Sequence, residues 1–95
     1  MFRLIAFHYP KPEHRQEMVA RLRRAAQFCK TTPGCLDADC WIEEPGDGVV
    51  ASGTWESKEQ CQRAFAGMTQ AGIDWEYDNR EARPRLVYSL VEPSD

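Results

Sequence analysis

The sequence contains no hydrophobic run approaching the roughly 20 apolar residues needed to cross a bilayer, so no transmembrane helix is expected. No secretory signal is expected either. Phe2–Tyr9 is apolar, but Arg3 interrupts it, it is too short for a signal core, and no small-residue cleavage site follows. There is no excess of positive charge: 12 Lys and Arg stand against 15 Asp and Glu, a formal net charge of −3, which argues against a nucleic-acid partner. Histidine is scarce, with only His8 and His14. The four cysteines (Cys29, Cys35, Cys40, Cys61) form no CxxC pair and have no finger-like spacing to either histidine, so no zinc or other metal site is expected. Reduced, buried thiols in a cytoplasmic protein are the expected state. No repeat, low-complexity segment or linker divides the chain, and residues 1–95 read as one domain.

What is present is organised around Val49–Gln60. Val49 to Trp55 is small, apolar and β-favouring without polar alternation, the pattern of a strand covered on both faces. Ser57 with Gln60 three residues on is a capping box, and Cys61, Ala64, Phe65 and Met68 then recur at helical spacing. Trp55 stands at the junction of strand and helix.

The rest of the chain reads outward from this unit. Phe2–Tyr9 is a strand with Leu4 and Ala6 on one face and Ile5 and Phe7 on the other, closed by Pro10 and Pro12. A helix follows from Glu13 to Lys30, with Met18, Leu22, Ala25 and Cys29 as its apolar stripe; Arg21, Arg23 and Arg24 are expected on its solvated side. Pro33-Gly34 suits a type II turn. Cys35–Glu43 alternates, with Leu36, Ala38, Cys40 and Ile42 on the covered face of an outer strand, and Pro45–Gly48 is a hairpin connection. The second helix stops before Gly72, Ile73–Ala82 is a charged connection carrying Trp75 and Tyr77, and a last strand runs from Arg85 to Val91 after Pro84.

The order β-α-β-β-α-β with right-handed crossovers predicts a ferredoxin-like α+β fold, a four-stranded antiparallel sheet with both helices on one face. Two helices cover one face only, yet the first and last strands are apolar on both. The last strand is also an edge, and an exposed apolar edge is an aggregation hazard. A second copy packed sheet to sheet is therefore expected, making a homodimer.

At this level of detail the residues match a family. The Pro10–His14 helix start, the Thr32-Pro33-Gly34-Cys35-Leu36 turn, the Thr54-Trp55-Glu56-Ser57 junction and Arg83-Pro84 before the final strand resemble the antibiotic biosynthesis monooxygenase (ABM) domains of the dimeric α+β barrel superfamily. The resemblance covers nearly the whole chain. It implies a homodimeric barrel with a pocket in each subunit between sheet and helices. It also implies chemistry of the kind found in that family: small oxygenases that convert aromatic polyketides to quinones without metal or flavin, haem-degrading enzymes and quinol oxygenases. The polyketide oxygenases carry an asparagine four residues before the junction tryptophan and a tyrosine six after it, where this chain has Ala51 and Cys61. The haem-degrading members have an asparagine on strand one and a histidine on helix two, and this chain has neither.

Oxygenation without a cofactor needs a substrate anion rich enough in electrons to reduce dioxygen, so a base must remove a proton. His8, which shares a strand face with Leu4 and Ala6, is the candidate, since histidine titrates nearest neutrality. Trp55 is the candidate for stacking on the substrate and donating its indole N–H. Phe65 is expected to line the pocket, and Trp75 or Tyr77 to close it against water. Each has a plainer reading: His8 a hydrogen-bonded strand-end residue, Trp55 a plug, Trp75 and Tyr77 loop or dimer anchors. His14 is expected at the surface, Cys61, Met18 and Met68 in the core, and Asp37, Asp39 and Glu43 on a wet strand face. Two functions stay open. One is a cofactor-independent monooxygenase acting on a small aromatic or polycyclic compound. The other is a non-catalytic ligand-binding or accessory homodimer of the same fold. A cyclase or isomerase using the same pocket is a weaker third.

Overall fold

In the computed structural model, which describes residues 1–94, Val49–Trp55 is a strand and Ser57 caps the helix that follows it. The Gln60 backbone N–H donates to Ser57 Oγ at 3.2 Å, so Ser57 is the expected N-cap, while the Gln60 side chain accepts from the Ser57 hydroxyl at 3.1 Å rather than from its backbone N–H. The elements in chain order are β1 (Phe2–Pro10), a 3-10 turn (Pro12–His14), α1 (Arg15–Lys30), β2 (Cys35–Ile42), β3 (Val49–Trp55), α2 (Lys58–Gln70) and β4 (Glu81–Val91). All strand pairs are antiparallel and the sheet order is β2-β3-β1-β4. This is the expected ferredoxin-like α+β layout, with β1 and β3 central and β2 and β4 at the edges.

Two buried clusters join the helices to the sheet. Phe2, Ala38 and Trp55 pack with Cys29 of α1 and Cys61, Ala64 and Met68 of α2; Val49 packs with Met18 and Leu22 of α1. Gly34 closes the first crossover with φ +81°, a left-handed conformation that favours glycine, and the Gln60 side chain lies against it.

Three expectations fail in detail. Arg21 is not solvated: it is 4% exposed, because the connection after α2 covers that side of α1. Its guanidinium donates to Glu76 O at 2.9 Å and lies 3.3 Å from Asp74. Leu36 and Ile42 are exposed although Ala38 between them is buried, since the β2–β3 register shifts between Cys35 and Asp37 and Ile42 ends the strand. β4 begins at Glu81, four residues before the Arg85 start read from the sequence. Pro84 lies inside it, in an edge strand and at the register shift between the Phe7–Leu86 and Tyr9–Arg83 pairs, both places where a strand tolerates proline.

The sheet is wider than the helix layer. Val87 and Val91, on the helix side of β4, are 53% and 73% exposed, and Leu86, Tyr88 and Leu90 on the opposite face are exposed as well. The shortest principal extent is 17 Å, two layers and no third, so one whole sheet face is open. That face carries the edge-to-face pair Phe7–Tyr88 and the exposed ring of Trp41.

Candidate functional site

Between the sheet and its two helices lies a cavity of about 230 Å³. Leu4 and Ala6 of β1 and Ala51 and Gly53 of β3 line the sheet side; Leu22, Ala25 and Cys29 of α1 and Phe65 and Met68 of α2 line the helix side. Val87 stands on the flank that the helices leave uncovered. The walls are almost wholly apolar, which suits a flat hydrophobic ligand.

Three aromatic rings in series build one wall. Trp55 meets Phe65 edge to face at 6.3 Å, and Phe65 meets Trp75 at 5.3 Å. The Trp55 indole folds back across Gly53, where a Cβ would lie 2.7 Å from the ring; only glycine leaves room for it. The indole N–H of Trp55 is directed to Thr32 Oγ1 at 3.4 Å, and that of Trp75 donates to Thr69 Oγ1 at 3.1 Å. Thr32 and Thr69 lie outside the cavity wall, so both rings present carbon rather than a donor to a ligand.

The polar end is built by β1 and β4. His8 lines the cavity and is 4% exposed, and its Nδ1 lies 3.4 Å from Oε1 of Glu81, whose side chain is 0% exposed. Arg85 fixes this carboxylate, donating from one terminal nitrogen to Glu81 Oε2 at 2.6 Å and from the other to Trp75 O at 2.7 Å. Burial and the Arg85 charge push the imidazole from its ordinary 6.5 down to about 4, against the opposing pull of Glu81; Arg21 lowers it further. His8 is thus a neutral imidazole at pH 7. The thiols nearby are not nucleophiles, since burial raises Cys29 to about 12 and Cys61 to about 11. All four cysteines are free. Among the described residues no three His, Cys, Asp or Glu side chains gather as metal ligands.

Four of the five residues singled out in the sequence, His8, Trp55, Phe65 and Trp75, line this cavity. Tyr77 does not. It is half exposed, with the Arg85 guanidinium 5.7 Å from its ring centre. Glu81 and Arg85 were missed, Glu81 because it was assigned to the connection; the signal was there, since positions 81 and 85 share a face once the strand is started four residues earlier. Asp39 also borders the cavity but pairs with Lys30 at 3.8 Å in a solvated setting, and His14 is partly exposed beside Glu17.

The depressed His8 value carries a stability consequence. In the unfolded chain this histidine takes up a proton near pH 6.5, and in the folded protein only near pH 4, so lowering pH through that window favours unfolding. The loss amounts to about 3 kcal/mol by pH 4, the value of a shift of this size. Asp74 and Asp78, held below the usual carboxylate range by Arg80, contribute stability that is lost only at lower pH still. Urea unfolding at pH 7, 5.5 and 4 should show this slope, and a His8→Gln variant should lack it. A slope unchanged by that substitution assigns the acid sensitivity to another group.

The family model for antibiotic biosynthesis monooxygenases matches residues 1–69 of the 95. This chain belongs to the ABM family. No curated protein matches it. Among solved structures, Rv0793 from Mycobacterium tuberculosis superimposes with a TM-score of 0.85 at 18% identity, over 99% of this chain and 96% of that one. A conserved protein from Methanosarcina mazei Go1 gives 0.83 at 15% identity, over 97% and 92%. A variant of MhuD with two manganese protoporphyrin IX bound per active site gives 0.72 at 18% identity, over 100% and 97%. At these identities the structures share the fold with this ABM protein. No described helix is long and apolar enough to cross a membrane.

Proposed function

We propose that this ABM protein is a cofactor-independent monooxygenase that oxidises a small hydroxylated aromatic or polycyclic compound to a quinone. The observation that carries this reading is the neutral, buried imidazole of His8 at one end of an otherwise apolar cavity walled by three aromatic rings. Family membership and ABM-named structural neighbours support it. His8 Nε2 accepts the hydroxyl proton as charge leaves the oxygen; the electron-rich anion reduces dioxygen and combines with it at the carbon para to that oxygen. The proton returns from His8 to the peroxide, and loss of water leaves the quinone. One phenol and one dioxygen give one quinone and one water, so no outside reductant enters. Trp55, Phe65 and Trp75 hold the ring flat and exclude water from the anion. The test is an oxygen electrode with dihydroxy-aromatic substrates, following dioxygen consumption and quinone absorbance together. Equal molar consumption and formation is expected. Tight ligand binding without uptake identifies a binding module instead.

That second reading has its own support: a histidine held at about 4 is a weak base, and with Ala51 and Cys61 beside it Trp55 has only Thr32, outside the cavity wall, for its indole N–H. A ligand-holding or accessory dimer of the same fold needs neither.

In both readings the protein, a single ABM-like domain over residues 1–95, works as a homodimer. The open sheet face, with Leu86, Tyr88 and Leu90 exposed, is the surface a second copy covers. Burial of this kind returns about 25 cal/mol per Å², many kcal/mol over several hundred Å² before the cost of association is subtracted. Sedimentation at micromolar concentration should give twice the single-chain mass of 10.9 kDa, and Tyr88→Glu should return it to one chain. A wild-type monomer sinks the dimer. A cytoplasmic setting suits the four free cysteines.

A further inference from the structure

The buried carboxylate of Glu81 is unusual in its partners. One oxygen is held by Arg85 at 2.6 Å; the other, Oε1, has no hydrogen-bond partner and faces only His8 Nδ1, itself buried and unpartnered, at 3.4 Å. A carboxylate accepts and cannot donate, so the facing ring nitrogen must be the one that carries the proton. The second ring nitrogen, Nε2, is not among the buried unpartnered atoms although it makes no hydrogen bond within the protein. It is therefore the nitrogen that opens to the cavity His8 lines.

We propose that Glu81 is the positioning residue for His8: it holds the imidazole proton on Nδ1, so that Nε2 faces the cavity as an acceptor and the site selects an aromatic carrying a hydroxyl over the matching ether or carboxylate. The inference rests on the reading of the cavity as a hydroxy-aromatic site, and extends it to the residue that sets the tautomer. Arg85 keeps Glu81 in place, and by donating to Trp75 O it ties that placement to the aromatic wall. A hydroxyl ligand satisfies Nε2 in a dry pocket; an ether leaves two acceptors facing each other, and a carboxylate sets a charge against the nitrogen lone pair. Sites built to bond a hydroxyl reject the analogue lacking it far more strongly than apolar pockets reject a changed shape.

The test reads the ring nitrogens directly. In ¹⁵N-labelled protein at pH 7, with His14 as the internal comparison, His8 should show a protonated Nδ1 and an unprotonated Nε2. Glu81→Gln, whose amide can donate as well as accept, should mix the two tautomers, a change that a purely structural role would not produce. An Nε2–H tautomer in the wild type, or an unaltered tautomer in a folded Glu81→Gln protein, overturns the proposal. Should Glu81→Gln fail to fold, binding to the wild type decides: 2-naphthol should bind at least tenfold more tightly than 2-methoxynaphthalene and 2-naphthoate, and equal binding of the ether or tighter binding of the carboxylate overturns it. Selective naphthol binding with no dioxygen uptake removes the oxygenase reading and leaves the role of Glu81 standing. Uptake by a protein with the Nε2–H tautomer does the reverse.

Discussion

Dioxygen uptake by a His8→Ala variant is expected to fall about 100- to 10,000-fold below wild type in kcat/KM, the range that positioned general bases contribute. No other side chain bordering the cavity can take its place. Cys29 holds its proton to about pH 12, Arg85 is committed to Glu81 and Trp75 O, and Asp39 is solvated beside Lys30. The pH dependence gives a second handle. A free-enzyme base near 4 leaves kcat/KM level from about pH 5 upward until the substrate's own hydroxyl ionises. An acid limb centred near 6.5 shows that His8 is not the base or is not in this environment. Since the substitution empties a small buried volume, added imidazole should restore part of the activity without changing the fold. Uptake within about threefold of wild type removes His8 from the mechanism.

Trp55→Ala is expected to cost about 3–5 kcal/mol of folding stability, the usual penalty for deleting a buried large aromatic. Trp55 is 2% exposed and is the largest fully buried side chain in the protein. It joins the end of β3 to both helices, packing with Cys29 of α1 and with Cys61 and Phe65 of α2, and its removal cannot be repaired by collapse because Gly53 has no side chain to move into the gap. A domain of about this size has some 5–15 kcal/mol in all, so a large share of its margin would go. Denaturant midpoints measured at one protein concentration check the figure, with the concentration held because dimerisation adds its own stability. Trp55→Phe, which keeps a ring against Phe65, should lose much less. A Trp55→Ala protein within about 1 kcal/mol of wild type shows that the ring fills no space of consequence.

The legible parts of the fold were those with a local cause. The Ser57 cap, the Pro33-Gly34 turn, the double-faced β1 and β3 and the two apolar stripes each follow from residues a few positions apart, and each stands where its spacing put it. The misplaced parts depend on contacts across long separations. Arg21 carries a charge on a helix, which locally means solvent; it is buried because Glu76, 55 positions away, brings a carbonyl to it. Glu81 sits among charged residues before a proline, which locally reads as loop; it is strand because Pro10 pairs with it. The same holds for the site. His8, Trp55, Phe65 and Trp75 were visible as residue types with matching chemistry, whereas the direction of the Trp55 N–H, away from the cavity and toward Thr32, depends on how a turn packs against a strand end.

From the amino-acid order alone came the element types, the βαββαβ path and the surplus of apolar surface on β4, because periodicity, caps and turns act over one or two turns of chain. Tertiary structure alone decided that β4 brings Glu81 beneath His8 and Arg85 beneath Trp75, and so set the histidine's charge and its direction. The reason is range: a pKa and a tautomer answer to whatever lies within a few ångströms, and in this protein those neighbours are 73 and 77 positions further along the chain.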